Sequence, residues 1–205
     1  MSFYLVKNEE LIFVPYNLLA IDFEFITTKI IENKAKKYFQ EIIEIGVVFK
    51  SENCCEKYNE VIKPRYFLNS KDKSKSIYGG RFSYEDMQNG LELEKVFKDL
   101  KKLYVEKETI WMSWGKAEYD ILKTVCKKYN VNLPFLKEDY LDLSLEFKNF
   151  FHINQNMSLD KALNYLHIPI VNRHYALPDA EALMKIIYIM FHRGYRLEDK
   201  DFEIL

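Results

Sequence analysis

Apolar residues along this chain come in dense short runs and in helically spaced sets, and the first long run is unusual. Leu18-Leu19-Ala20-Ile21-Asp22-Phe23-Glu24-Phe25 is apolar enough for a buried strand, yet it carries two carboxylates near its end. Ile42-Ile43-Glu44-Ile45-Gly46-Val47-Val48-Phe49 reads as a second strand. Glu56 to Lys63, stopped by Pro64, reads as a third, antiparallel to the second through a hairpin at Ser51–Cys55. Residues 27–40, between the first two, read as a polar loop or short helix. Residues 1–17 hold Leu11-Ile12-Phe13-Val14 and read as a short N-terminal extension packed on a single domain spanning 18–205.

Helical spacing takes over downstream. Leu93, Val96, Phe97, Leu100, Leu103 and Tyr104 lie on one helical face. Thr109 to Trp114 reads as a fourth strand ended by Gly115, and Ala117 to Tyr129 as a helix. Leu141-Asp142-Leu143 suggests a short fifth strand, followed by a helix over 144–151. Ser158 is a good N-cap for a helix carrying Leu159, Ala162, Leu163 and Leu166. Pro178 suits the first turn of a last helix burying Leu183, Ile186, Ile187, Met190 and Phe191. Three strands followed by alternating helices and strands predict an α/β domain around a mixed sheet.

Composition narrows the function. The 205 residues are 48% hydrophobic, which supports a full core, and the net charge of −1 argues against a strongly basic DNA coater. Cys54, Cys55 and Cys126 lack metal-ligand spacing, and an odd count with two adjacent thiols fits a reduced, cytoplasmic setting. No apolar run approaches the 18 residues of a membrane span. The run Lys71-Asp72-Lys73-Ser74-Lys75 reads as a solvated loop.

The chemistry starts from Asp22 and Glu24. Alternate strand residues share a face, so these carboxylates point together, about 7 Å apart along the strand. Burying them unpaired would cost several kcal/mol each, on the order given for unpaired ions. A divalent cation is the simplest remedy. Asp201-Phe202-Glu203 has the same lettering but reads as a solvated tail. Asp120 and Asp179 each fall in a helix first turn, where the helix dipole alone would favour an acid. His174 precedes Asp179 by five residues; a histidine beside a metal-bound carboxylate is suited to deprotonating water.

Asp22-Phe23-Glu24, Ala117-Glu118-Tyr119-Asp120-Ile121 and His174-Tyr175-Ala176-Leu177-Pro178-Asp179-Ala180 resemble, in order and spacing, the motifs of the DEDDh (DnaQ-like) 3′–5′ exonucleases. Glu41 to Gly46, Ser113-Trp114-Gly115 and Ser158 to Leu163 are similar to stretches of the KapD and histone-mRNA-exonuclease branch. The resemblance covers residues 18–191. It implies an RNase H-like fold, a five-stranded mixed sheet flanked by helices. It implies Asp22, Glu24, Asp120 and Asp179 as metal-binding carboxylates for two Mg2+ ions, with Mn2+ able to substitute, and His174 as general base. At the second motif, relatives often place the acid three residues after Trp-Gly, where this chain has Glu118. The wider Ala-Glu-Tyr-Asp-Ile context selects Asp120, and the two side chains point about 200° apart on a helix. Phe23, Phe25 and Ala176 are candidate substrate contacts.

The resulting expectation is a metal-dependent 3′–5′ exonuclease acting on single-stranded RNA and releasing nucleoside 5′-monophosphates, with no membrane and no obligate protein partner. A DNA exonuclease that trims or proofreads is the nearest alternative. A catalytically inactive nucleic-acid-binding protein is the alternative from another class.

Overall fold

A computed structural model describes residues 3–7, 10–14, 16–32, 35–69, 81–169 and 172–197. The lysine run at 71–75 and the tail at Asp201–Glu203 lie outside the described residues. The chain opens with a hairpin of β1 (Phe3–Lys7) and β2 (Glu10–Val14), whose Leu5, Ile12 and Val14 join the main core.

Five further strands form one mixed sheet: β3 (Asn17–Glu32), β4 (Ala35–Lys50), β5 (Cys55–Val61), β6 (Thr109–Ser113) and β7 (Tyr140–Asp142). Their order is β5-β4-β3-β6-β7, with β4 antiparallel to both neighbours and β6 and β7 parallel to β3. The central strand β3 is buried on both faces, which explains its unbroken apolar run. Leu18 and Ala20 pack into the core formed with α5 (Leu143–Phe150), α6 (Leu159–Tyr165) and α7 (Ala176–His192). Leu19, Ile21 and Phe23 pack toward α3 (Leu93–Leu100) and α4 (Ala117–Tyr129). Ser158 caps α6 by accepting from the Lys161 amide. Two short helices, α1 (Arg65–Leu68) and α2 (Tyr84–Asn89), connect β5 to α3. No helix among the described residues is long and apolar enough to cross a membrane.

Residues 27–40 are not a loop or a helix. β3 and β4 continue to Glu32 and from Ala35, well beyond the stretches where β5 and β6 pair with them. They form a two-stranded ribbon that projects from the sheet. At its base the register slips: Glu24 faces Glu44, but Phe25 faces Ile42, leaving Ile43 as the extra residue of a bulge. Ile43 fills a small core with Ile26, Phe67 and Met87. Nearby, the fully buried Glu41 accepts hydrogen bonds from Thr28 Oγ1 (2.9 Å), the Tyr66 amide (2.8 Å), the Phe67 amide (2.7 Å) and Tyr129 Oη (2.6 Å). Pro64, the N-cap of α1, offers no side-chain acceptor, so Tyr129 Oη takes the first free amide of that helix, Arg65, and Glu41 the next two. One carboxylate thereby ties the ribbon base to α1 and to the end of α4.

Candidate active site

Asp22 and Glu24 lie on β3 just past Ala20, where pairing with β6 ends. Their cross-strand partners on β4 are Gly46 and Glu44. Gly46 decides what can approach. A Cβ there would stand 2.1 Å from the Ala176 carbonyl carbon and the Leu177 nitrogen. The bare glycine lets the first turn of α7 rest directly on β4. That contact carries Asp179 to the strand carboxylates.

Asp22, Glu24 and Asp179 are all buried, and one carboxylate oxygen from each lies within 4.8 Å of the others. Burial, then Glu118, then Glu24 push the Asp22 carboxyl well above its usual range; Arg173 acts against them and Glu44 with them. Two cations lie against the cluster. Arg173 contacts Asp179 through Nη1 and Asp160 through Nε. Arg81 Nη2 lies 3.5 Å from Glu24 and 3.3 Å from Glu44, with its guanidinium 4.2 Å above the Tyr175 ring.

The second motif sits differently from the sequence expectation. Asp120 is exposed and lines a groove of about 240 Å³ with Tyr38, Phe39, Gln40, Ile121 and Thr124, so it does not reach the cluster. Glu118 is the largest charged influence on the Asp22 carboxyl, although it is not one of the three carboxylates that lie within 4.8 Å of one another. The local reason is the strand-to-helix turn. Gly115 adopts φ +90°, a left-handed conformation natural to glycine. Its carbonyl accepts from Tyr140 Oη (2.6 Å) and Ser113 Oγ (2.8 Å). This pinned turn sets the helical phase so that Glu118 faces the sheet and Asp120 faces away. Burial raises the Glu118 carboxyl to about 7, while its own amide and Ser113 hold it down by hydrogen bonding and Asp142 pushes it up. Its Oε2 is buried without a hydrogen-bond partner.

His174 is exposed beside the cluster at φ +65°, and its amide donates to Asp179 Oδ2 at 3.2 Å. The five-residue spacing is thus a physical link between the histidine's loop and the third carboxylate. Of the candidate substrate contacts, Phe25 is half-buried with its ring 6.1 Å from that of Phe23. The Phe23 and Ala176 side chains are closed off in the core, so neither offers a side chain to a substrate. Ala176 contributes backbone, donating to Glu44 Oε2 at 3.3 Å. Sequence reasoning missed Glu44, Arg81 and Arg173. Glu44 had a usable signal, an acid inside an apolar strand like Asp22; the arginines had none.

The donor set of Asp22, Glu24 and Asp179 is hard oxygen throughout, buried and convergent, and Glu118 carries a further buried oxygen without a hydrogen-bond partner. That fits a divalent cation such as Mg2+ or Mn2+.

Comparison with known proteins agrees. The exonuclease family model RNase_T matches residues 19–187. The chain is 30% identical over 176 residues to a Bacillus subtilis (strain 168) protein described as probable 3′–5′ exonuclease KapD, covering 85% of this chain and 84% of that one. Its fold is similar to the nuclease domain of 3′hExo, a DEDDh family member bound to rAMP (TM-score 0.67, 18% identity, 87% of this chain and 92% of that one). It is equally similar to cell-death related nuclease 4, CRN-4 (TM-score 0.67, 16% identity, 88% and 66%). The chain belongs to this exonuclease family, is a 3′–5′ exonuclease and has the RNase H-like fold of these nuclease domains.

Proposed function

We propose that Asp22, Glu24, Asp179 and Glu118 form the four-carboxylate cradle for two divalent ions, that His174 is the general base, and that the substrate is the 3′ end of single-stranded RNA. The observation that carries this reading is the convergence of three buried carboxylates, one of them tied to the His174 loop. Glu118 takes the place expected of Asp120 in the cradle because its charge acts on Asp22, whereas Asp120 is exposed on the groove wall. Mg2+ is the natural occupant, and Mn2+ substitutes.

When bound, such ions supply Lewis-acid polarisation of the phosphate and charge compensation for the leaving 3′ oxygen. The protein's own groups do the rest. Asp22 and Glu24, fixed on a strand buried on both faces, hold their oxygens rigidly. Asp179 fixes the His174 loop through the backbone amide. The exposed imidazole accepts the proton of the attacking water. The P–O3′ bond breaks, and the terminal nucleotide leaves as a 5′-monophosphate. Arg81 and Arg173 offset part of the carboxylate charge. The choice of RNA draws on the rAMP bound to 3′hExo and on branch resemblance.

A timed digest of 5′-labelled single-stranded RNA, DNA and duplexes, with Mg2+ and with EDTA, tests the reading. Stepwise shortening of RNA only with metal, with 5′-monophosphate as product, is the expected result. Discrete internal cuts, or equal loss with EDTA, would overturn it. Faster shortening of DNA would transfer the activity to DNA ends.

A further inference from the structure

Glu24 and Glu44 stand directly opposite each other on β3 and β4, and both are buried, at 6% and 4% exposure. Like charges facing across a strand pair destabilise a sheet, and burial raises the cost. Arg81 meets both acids. Its Nη2 donates to Glu44 Oε2 at 3.3 Å and lies 3.5 Å from Glu24 Oε1. One nitrogen thus spans two acids, whereas a locked arginine–carboxylate pair puts two parallel hydrogen bonds on one acid. The guanidinium carbon is also 4.2 Å from the Tyr175 ring centre and 4.7 Å from that of Phe82, so two rings help to hold it. Glu24 meanwhile gives an oxygen to the cluster with Asp22 and Asp179, and Glu44 does not. Arg173 stands against the same cluster through Asp179, but it is tied to Asp160 on α6 and adjoins His174, so it fixes the histidine loop. Arg81 comes from a separate segment, two residues before the Ser83 cap of α2.

We infer that Arg81 is a positioning residue that shares Glu24 with the metal ion, lowering the affinity of the cradle for the ion and raising its affinity for the phosphate of the substrate. The inference rests on the proposed metal-dependent reading and adds a control on the charge of that site. An ion at Glu24 must share the carboxylate with a guanidinium 3.5 Å away, and the two cations repel each other. Arg81 is held by Glu44 and by two rings as well as by Glu24, so it keeps its place when the ion takes Glu24. Its fixed positive charge then favours an anionic phosphate at the same rim. Without it, Glu44 would stand uncompensated beside Glu24, and the more acidic pocket would grip cations and repel a polyanion. Arginine suits this post because it is always charged, weakly hydrated and stacks on aromatic faces.

The test compares Mn2+ binding, read without substrate from the loss of the free-ion EPR signal, for the wild type, Arg81→Met and Arg81→Lys. Arg81→Met binds Mn2+ about 10-fold more tightly, the scale on which contacts behind the ligands tune a metal. Its KM for single-stranded RNA in saturating Mg2+ rises. Arg81→Lys keeps the charge and stays close to the wild type in both measurements. An arginine that only supports the fold gives the opposite sign, weaker Mn2+ binding. Weaker or unchanged Mn2+ binding in a folded Arg81→Met chain overturns the inference. Tighter Mn2+ binding with KM unchanged overturns the part that concerns phosphate. Arg81→Gln, uncharged but still a donor, shows the same shift and replaces Arg81→Met if that chain melts at the assay temperature. Failure of both to fold overturns the inference, because Arg81 is then holding the structure together. The control Arg65→Met removes another arginine set among two acids and a tyrosine ring, Glu92, Glu94 and Tyr129, and leaves Mn2+ binding alone. A wild type that binds no Mn2+ fails the cradle reading itself. One that binds Mn2+ but shortens no RNA fails the choice of substrate, while the Mn2+ comparison still decides the role of Arg81.

Discussion

Glu118 and Asp120 are two residues apart on α4 and face opposite ways, so they separate the proposed metal cradle from its surroundings at the scale of one side chain. Glu118→Gln is expected to lower kcat at least 100-fold and to weaken Mg2+ dependence, while Asp120→Asn stays within about 3-fold on a short substrate. Steady-state rates across a Mg2+ titration check this; the magnitude follows losses seen when a metal-site group is altered. Glu118 also makes stability depend on pH. Burial lifts its carboxyl from an ordinary 4.5 to about 7. The folded chain without metal therefore holds this proton more tightly than the unfolded chain. The contribution is complete below pH 4.5 and is lost as pH rises through 7. Asp22, raised by burial and by its acidic neighbours, acts in the same direction. Denaturant unfolding in EDTA should thus show a loss on the order of 1–3 kcal/mol between pH 4.5 and 7.5. Glu118→Gln should flatten that slope. The sequence held the clue to Glu118 in its distance of three residues from Gly115. The Ala-Glu-Tyr-Asp-Ile context selects Asp120 instead, and the proposed exchange turns on helical phase, which the Gly115 turn and its Tyr140 and Ser113 contacts set and no local pattern reveals.

At the scale of elements, the site depends on how closely α7 lies on β4. Gly46→Ala would put a methyl 2.1 Å from the Ala176 backbone, which has no flexible side chain to move aside. The substitution should cost about 1–3 kcal/mol, as overpacking does, and should lower kcat more than KM because Asp179 and His174 retreat together. Thermal unfolding and steady-state kinetics measured side by side check both parts. Most strand and helix positions were readable from periodicity: the helix from Ala117 to Tyr129 coincides with α4, and Pro178 falls in the first turn of α7. The ribbon was not readable. Its exposed face mixes Thr27, Lys29 and Ile31, and its inner face depends on Glu41, a charge that becomes comfortable in the interior only through donors from α1 and α4. Strand formation there is a tertiary decision that local propensity does not record.

For the whole molecule, binding at the cradle should be visible as stability. A ligand bound only by the folded chain at 100 times its Kd adds about 2.7 kcal/mol, equivalent to a Tm rise of about 5–10 °C for a chain of this size. Differential scanning calorimetry with saturating Mn2+ should show that rise, and Asp22→Asn should abolish it while raising the Tm in EDTA. The family assignment fixes the reaction class, and the sheet supplies a rigid floor for it. The bulge at Ile43 has a different consequence. It acts as a coupling between a fixed machine and an adjustable arm. Inboard of it lie the carboxylates, and just outboard the Glu41 anchor holds the ribbon base through Thr28. Beyond Thr28 and Phe39, matched residues can be added to or removed from both strands two at a time, each step changing the arm by about 7 Å without turning any face over. The length of this arm is therefore a variable that evolution, or an engineer, can tune without reopening the chemistry.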